Sequence, residues 1–217
     1  MKTGFAAVLR DWRGRLLALP GSESVPAKVR LLEKTPKNAL RVGFLRRIFP
    51  DAKFIFLYRE PRSNIASLID GWQAPGRFVS YRLQQRVWKF LLPPQWEKMG
   101  DWSIPAIAAE QWRCANEAIA DATTQMDQSM WQLVDYDQLI ADPAGELLRL
   151  CEFAGINYSE LMTRLSSGKM PLSRSILSPP DPEKWRKHEQ PLIELSRTIE
   201  GTAARVDSLR RSGSTSI

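Results

Sequence analysis

Two short apolar segments, each followed by a helical pattern, constrain the fold of this 217-residue chain more than any other feature. The first is KFIFLY, residues 53–58, after which the apolar residues from about Ser63 to Trp72 share one helical face. The second is WQLVD, after which DPAGELLRLCEFAGI predicts a helix with Asp142 as its cap and Gly155 as its stop. Strands that alternate with helices are typical of a parallel sheet with right-handed crossovers. We therefore predict an α/β fold.

Apolar spacing predicts further elements on either side of these two units. VRLLEKTP indicates a short strand that ends at Pro36, because proline lacks the donor that a strand interior needs. Apolar residues recur at helical intervals in four other segments. The predicted helices cover residues 5–19, a segment that starts at Asn38, residues from about Pro105 to Gln125, and residues from about Pro191 to Arg210.

Residues 73–104 have no steady period and are rich in Trp, Arg and Pro. We predict a lid-like excursion over the sheet, because so short a segment could bury little on its own. The tryptophans in this segment and just before it either line an acceptor site or pack the segment onto the sheet; these are Trp72, Trp88, Trp96 and Trp102. The chain is predicted to be a single domain, 1–217, with 211–217 as a flexible tail.

The residue types present exclude several kinds of site. The single histidine, His188, rules out histidine metal clusters, and its charged neighbours predict a surface position. Cys114 and Cys151 lie far apart in predicted helices, so we expect neither a disulfide framework nor a metal site. Catalysis would have to use carboxylates, lysine, arginine or hydroxyl groups.

The charge balance favours anionic partners. The chain has 31 Lys and Arg against 24 Asp and Glu, a net charge of +7, but the basic residues are scattered. A nucleic-acid partner is not expected, because such proteins gather basic residues on one helix or tail. A phosphate-bearing ligand and a merely solubilising basic surface both stay open. With no signal-peptide pattern and no run of about 18 apolar residues, we expect a cytoplasmic protein without a membrane span, of undetermined oligomeric state.

Arg59 follows the KFIFLY strand at the point where open parallel sheets bind ligands. Helix N-termini there present free N–H groups, and the guanidinium fork of Arg59 suits a phosphate. Ser67 lies two turns into the next predicted helix. The alternative is an ion pair of Arg59 with Glu60 or Asp70 on a solvated edge.

Glu33 and Lys34 end the strand predicted in VRLLEKTP. That position would bring a carboxylate and an ammonium group to the same edge of the sheet as Arg59. A glutamate among cations can act as a general base, whereas a salt-bridged structural glutamate is the alternative.

Three runs together resemble the sulfotransferases that use 3′-phosphoadenosine-5′-phosphosulfate. They are EKTPKNALRVGFLRRIFPDAKFIFLYREPRSNIASLIDGW, WQLVDYDQLIADPAGELLRLCEFAGI and PLSRSILSPPDPEKWRKH. The resemblance spans residues 28–190 and is closest to the bacterial branch related to tyrosylprotein and heparan sulfotransferases. It implies a P-loop-like, three-layer α/β fold. It also implies direct transfer of a sulfuryl group, without a metal, from this co-substrate to a hydroxyl or amine of a small molecule, glycan or peptide.

The resemblance implies roles for individual residues. Glu33 and Lys34 match a catalytic pair, the general base and the lysine that follows it. Arg59 and Ser67, eight apart, match the pair that holds the 3′-phosphate of the nucleotide, and Arg62 matches a commonly basic position with no fixed role. Other residues that the resemblance places near the nucleotide are Tyr136, Ser178 and Lys184.

One part of the family pattern has no match. The first strand and its phosphosulfate-binding loop, spelled for example PRSGTT, do not occur ahead of residue 28. We therefore expect the fold to lack them and residues 1–217 alone to bind the nucleotide weakly or not at all. A non-catalytic remnant that binds a nucleotide or a partner is the alternative function. A kinase-like nucleotide binder is disfavoured, because no G-x-x-x-x-G-K-[ST] motif occurs.

Overall fold

The computed structural model describes residues 9–10, 16–17, 31–83, 87–166, 176–179 and 181–213. The chain divides into two compact units, Met1–Thr35 and Pro36–Ile217. The second unit contains a parallel sheet with flanking helices, so the predicted α/β class is confirmed. The single domain 1–217 stays a prediction.

In the first unit, a short antiparallel pair joins β1 (Leu9–Arg10) to β2 (Leu16–Leu17). The helix predicted over residues 5–19 is therefore wrong at these positions. Short apolar runs fit a strand as well as a helix, and Gly14 would cost a helix interior about 1 kcal/mol relative to alanine. The rest of the predicted helix lies outside the described residues.

The strand predicted in VRLLEKTP is wrong for residues 31–35, which are irregular. Leu31 is 77% exposed and Leu32 is 89% exposed, so neither leucine packs as a buried strand requires. Residues 29 and 30 lie outside the described part of the chain. Glu33 therefore does not end a strand, and the catalytic role of Glu33 rests on the family resemblance alone.

The parallel sheet of the second unit pairs β3 (Phe54–Tyr58) with β6 (Trp131–Asp135), which confirms both predicted strands. The register runs from Phe54 opposite Trp131 to Tyr58 opposite Asp135, with no offset. Phe56 and Trp131 are buried on one side of this pair, where Val42 is buried with them and Ile119 and Leu209 pack against them. Both strands therefore end at the same edge of the sheet.

Helices make up most of the second unit. The predicted C-terminal helix is split at Leu195, and its second part continues through Gly213, into the predicted tail. Every helix in the described ranges is too short or too polar to span a bilayer. The α-helices are α1 (Val42–Ile48), α2 (Pro61–Gln73), α3 (Ile104–Thr123), α4 (Tyr136–Ala141), α5 (Pro143–Ala154), α6 (Glu160–Ser166), α7 (Glu189–Glu194) and α8 (Ser196–Gly213); 3-10 helices occupy Pro36–Arg41, Trp96–Met99, Gln128–Met130 and Lys184–His188.

The ends of α5 lie where the sequence predicts them. The Asp142 carboxylate accepts a hydrogen bond of 3.0 Å from the backbone N–H of Gly145, and Pro143 fills the first helical position. Gly155 adopts a left-handed conformation, φ 61°, and ends the helix. Local chemistry decides these boundaries, so the sequence alone is sufficient to place them.

The main core lies where α2, α3, α7 and α8 meet. Ile65 and Ile69 of α2 are fully buried against Ala108 and Trp112 of α3 and Ile199 of α8. Burying a large apolar side chain contributes about 1.5–3 kcal/mol. This packing fixes the orientation of α2, which carries Ser67 on another face.

The excursion of residues 73–104 is packed onto α2 and α3 where it is described. Strands β4 (Val79–Arg82) and β5 (Val87–Lys89) pair as an antiparallel hairpin. Trp88 is 1% exposed and meets the ring of Trp72 edge-on, with ring centroids 5.3 Å apart. Trp72 and Trp88 thus belong to the core, whereas Trp102 is 41% exposed. The lid function stays a prediction.

Replacing Gln111 by leucine is expected to destabilise the protein by about 2–5 kcal/mol. The Gln111 amide is buried, accepts a bond of 2.9 Å from Trp72 Nε1 and donates to the carbonyl oxygens of Lys89 and Leu91. Leucine would remove the acceptor of the Trp72 indole N–H and the donor to the Lys89 carbonyl, while the Leu91 carbonyl would keep its bond of 2.7 Å from Trp88 Nε1. Chemical denaturation measures the change, with the exposed Gln125→Leu as control. A loss below about 1 kcal/mol would contradict the assigned network.

Candidate functional site

The register of β3 and β6 determines which residues meet at the sheet edge. Because Tyr58 is opposite Asp135, the next residues along the two strands, Arg59 and Tyr136, also become neighbours. The guanidinium carbon of Arg59 lies 4.9 Å from the centre of the Tyr136 ring, within the range of a cation–π contact. Two predicted site residues that are 77 positions apart are thus brought together.

The first turn of α2 lies at the same edge of the sheet, because the helix begins at Pro61 soon after β3 ends. Glu60 caps the helix, since its carboxylate accepts a bond of 2.8 Å from the backbone N–H of Ser63, and Pro61 occupies the first position. Glu60 also pairs with Arg62 at 2.9 Å. Burial alone would raise the pKa of Glu60, but the bonds from Arg62 and Ser63 outweigh it and lower that pKa. Glu60 is therefore used for the helix start and for Arg62, not for Arg59.

Arg59 and Ser67 are in direct contact. Arg59 Nη1 donates a hydrogen bond of 3.0 Å to Ser67 Oγ, and that hydroxyl donates to the carbonyl oxygen of Ser63 at 2.9 Å. The eight-residue interval spans the strand end and two turns of α2. The structure thus brings these two predicted residues into contact, and their role in holding a phosphate stays a prediction.

Four buried polar side-chain atoms have no hydrogen-bond partner within the described part of the chain, and two of them belong to predicted site residues: Arg59 Nε and Ser178 Oγ, besides Trp112 Nε1 and Gln132 Oε1. A buried donor without an acceptor costs about 1–3 kcal/mol, so such an atom needs an explanation. An anion that accepts from the guanidinium would satisfy Arg59 Nε. The donor set of a guanidinium and a hydroxyl group fits a phosphate.

Lys184 contacts Asp70, the carboxylate three residues after Ser67 on α2. Its Nζ lies 3.2 Å from Asp70 Oδ2, and Lys187 and His188 bind the same carboxylate. Asp70 therefore pairs with Lys184, Lys187 and His188, and not with Arg59 as the alternative prediction had it.

Glu33 and Lys34 belong to the first unit and are exposed. The Glu33 carboxylate accepts a hydrogen bond from the hydroxyl of Thr35. The roles of Glu33 and Lys34 in catalysis stay predictions.

The sequence does not predict the contact between Asp70 and His188. His188 was predicted to lie on the surface, but its side chain is only 13% exposed and its Nε2 lies 2.8 Å from Asp70 Oδ1. The available signal was the three-residue spacing of Ser67 and Asp70, which puts both on one helical face. No local signal predicts that a segment more than 110 residues later would reach that face.

Tyr58, which precedes Arg59, is expected to make stability depend on alkaline pH. Burial, reinforced by the Asp207 carboxylate and opposed by Arg210, raises its pKa to about 12. An unfolded tyrosine titrates near pH 10, so this contribution to stability is complete below about pH 10 and is lost as the pH rises towards 12. Urea unfolding of Tyr58→Phe between pH 9 and 11 should show a shallower decline than the unmodified protein.

The control for this prediction is Tyr81→Phe, which should keep the full decline. Cys114 adds to the decline in every variant, because burial, together with the neighbouring Glu110, raises the pKa of its thiol to about 12. The contribution of Tyr58 is therefore the difference in the pH-dependent decline of stability between Tyr58→Phe and the unmodified protein. An identical slope in Tyr58→Phe and the unmodified protein would refute the assignment.

Among the comparisons with known proteins, a family model identifies the family of this chain. A family model described as Sulfotransferase family matches residues 18–160, more than half of the chain. A Caenorhabditis elegans protein named as a protein-tyrosine sulfotransferase is 28% identical over 137 residues, which cover 62% of this chain and 43% of that protein. The sulfotransferase domain from the curacin biosynthetic pathway is 17% identical with a TM-score of 0.47, over 76% of this chain and 61% of that one. The chain therefore spans less than two thirds of the length of either protein.

Proposed function

This chain belongs to the sulfotransferase family, and on that premise we propose that it transfers a sulfuryl group from 3′-phosphoadenosine-5′-phosphosulfate to an acceptor hydroxyl or amine. The observation that carries the proposal is the contact of Arg59 with Ser67 beside the ring of Tyr136, at the carboxyl edge of a parallel sheet. Ligands of open α/β sheets bind at that edge.

Arg59 and Ser67 hold the 3′-phosphate of the nucleotide in this proposal. Arg59 supplies a fixed positive charge and the buried Nε donor, while the Ser67 hydroxyl holds Nη1 in place. Tyr136 packs against the guanidinium and limits its rotation. Ser178 and Lys184 contribute a further hydroxyl and ammonium group to the phosphates.

Glu33 takes the proton from the acceptor hydroxyl as the acceptor oxygen forms its bond to sulfur. Lys34 and the other cations stabilise the negative charge that grows on the leaving phosphate oxygen. The co-substrate supplies the activated sulfuryl group. No metal is required for this transfer.

The first acceptor to test is a peptide tyrosine, because one relative is named as a protein-tyrosine sulfotransferase. The excess of positive charge over the chain, +7, is compatible with acidic acceptor peptides. Glycan and small phenol acceptors belong in the same panel.

Two measurements test the proposal. Calorimetry with adenosine 3′,5′-bisphosphate, raised to millimolar concentration so that weak binding is seen, should show saturable binding that adenosine 5′-phosphate does not match. Transfer of radiolabelled sulfate to the acceptor panel should follow. Binding without transfer would favour a nucleotide-binding module without catalysis. A folded chain that neither binds nor transfers would refute the proposal.

A further inference from the structure

The carboxylate of Asp70 collects three donors from one short segment. Lys187 Nζ lies 2.7 Å from it, His188 Nε2 2.8 Å and Lys184 Nζ 3.2 Å. All three donors belong to the 3-10 helix Lys184–His188, whereas Asp70 belongs to α2. The contacts therefore fasten a late segment of the chain to the helix that carries Ser67.

These contacts lie in a largely buried environment. The side chain of Asp70 is 9% exposed and that of His188 13%, compared with 49% for Lys187. Burial alone would raise the pKa of Asp70, but the bonds from His188, Lys187 and Lys184 hold it below its ordinary value. Asp70 is thus a stable anion at neutral pH, and breaking its contacts would leave a buried charge unpaired.

The charges of Asp70 and of the lysines that contact it do not cancel. Two lysines face one carboxylate, so one positive charge remains even with His188 neutral. The charged neighbours on the same two elements are engaged elsewhere: Arg62 pairs with Glu60, and Arg186 pairs with Glu183 and Glu189. The remaining positive charge is therefore carried by Lys184 and Lys187, the lysines that contact Asp70.

The position of Asp70 links this cluster to the phosphate pair. Ser67 and Asp70 are three residues apart on α2, and side chains at that spacing lie about 5–6 Å apart at Cβ. Ser67 contacts Arg59, and Asp70 contacts Lys184. The helix thus sets Lys184 about one turn from the Arg59–Ser67 pair.

We propose that Asp70 is a positioning residue that holds Lys184 beside Arg59 and Ser67 for binding of the nucleotide phosphate. Lys187 and His188, at the shorter distances, fasten the segment, and Lys184, at the longest distance, is the donor that a phosphate can share. The role of Lys184 rests on the proposed function; the anchoring of the segment by Asp70 does not.

Hydrogen exchange tests the anchoring without any nucleotide. The backbone N–H groups of Lys184 and Arg186 donate to Asp181 and Glu183 in the native protein, so they report opening of the segment. Asp70→Asn should speed their exchange about tenfold or more, whereas the exposed Asp101→Asn should not. Unchanged exchange in Asp70→Asn would overturn the anchoring and with it the proposal.

The sign of the change in nucleotide affinity tests the positioning. If Asp70 acted only through its charge, removing that charge would strengthen binding of adenosine 3′,5′-bisphosphate. Positioning predicts the opposite, a loss of about tenfold in Asp70→Asn that Asp70→Glu partly restores. In a Lys184→Ala background, Asp70→Asn should change the affinity by less than about twofold, because the two residues act as one unit.

A gain in affinity in Asp70→Asn, or losses that add fully in the double variant, would overturn the positioning role. An unmodified chain that binds no nucleotide would remove the proposed function and the role of Lys184 together. Faster exchange in Asp70→Asn would then still establish the anchor. The two measurements therefore separate failure of the inference from failure of the function.

Discussion

Replacing Glu33 by glutamine is expected to lower the rate of sulfuryl transfer about 100-fold to 10,000-fold. Glutamine keeps the size of the side chain and can still accept a bond from the Thr35 hydroxyl, but it cannot take a proton. The measurement is the turnover number with saturating donor and acceptor. The affinity for adenosine 3′,5′-bisphosphate should stay within about twofold, because only the chemical step loses a group.

The matched control is Glu97→Gln, which removes another exposed carboxylate, in the 3-10 helix Trp96–Met99. Its turnover should equal that of the unmodified protein. The Glu33 prediction is decisive because residues 31–35 are irregular, so strand geometry no longer supports the assignment. Turnover of Glu33→Gln within threefold of the unmodified rate would exclude Glu33 as the general base.

Replacing Arg59 by alanine should weaken binding of adenosine 3′,5′-bisphosphate by about 10-fold to 150-fold, the range for losing a hydrogen bond to a charged group. Alanine removes the buried Nε donor and the bond to Ser67, together with the contact to Tyr136. Arg59→Lys should recover little of the affinity, because an ammonium group lacks the planar fork. Calorimetry with millimolar nucleotide measures both.

Adenosine 5′-phosphate provides the ligand control, since it lacks the 3′-phosphate. Arg59→Ala should bind both nucleotides about equally, whereas the unmodified protein prefers the bisphosphate. The protein control is Arg62→Ala, which removes an exposed guanidinium three residues away that pairs with Glu60 and stacks on Trp185. A persistent preference for the bisphosphate in folded Arg59→Ala would locate the 3′-phosphate elsewhere.

Elements with strong local signals could be predicted from the sequence. The sequence predicts β6 at Trp131–Asp135 and α5 between its Asp142 cap and its Gly155 stop, because apolar runs and capping residues act locally. The position of Arg59 at the strand end follows from the same logic, whereas the pairing of Arg59 with Ser67 is what the family resemblance implies. The register of the sheet then brings in Tyr136.

Features that depend on distant packing could not be predicted. Leu31 and Leu32 have the composition of a buried strand but are exposed, because burial is decided by neighbours that an apolar pattern does not specify. The contact of His188 with Asp70 spans 118 positions and depends on how the 3-10 helix docks on α2. Charged side chains have many possible partners in a sequence, and only the fold selects one.

The contact between Arg59 and Ser67 requires a fixed spacing of eight residues. One inserted residue after Pro61 would rotate Ser67 about 100° around the axis of α2 and carry its hydroxyl away from the guanidinium. Insertions or deletions in surface turns elsewhere do not change the angular position of Ser67 on α2. Insertions and deletions should therefore be excluded from this stretch in any descendant of the protein that keeps the phosphate contact, even where every side chain in it is replaced.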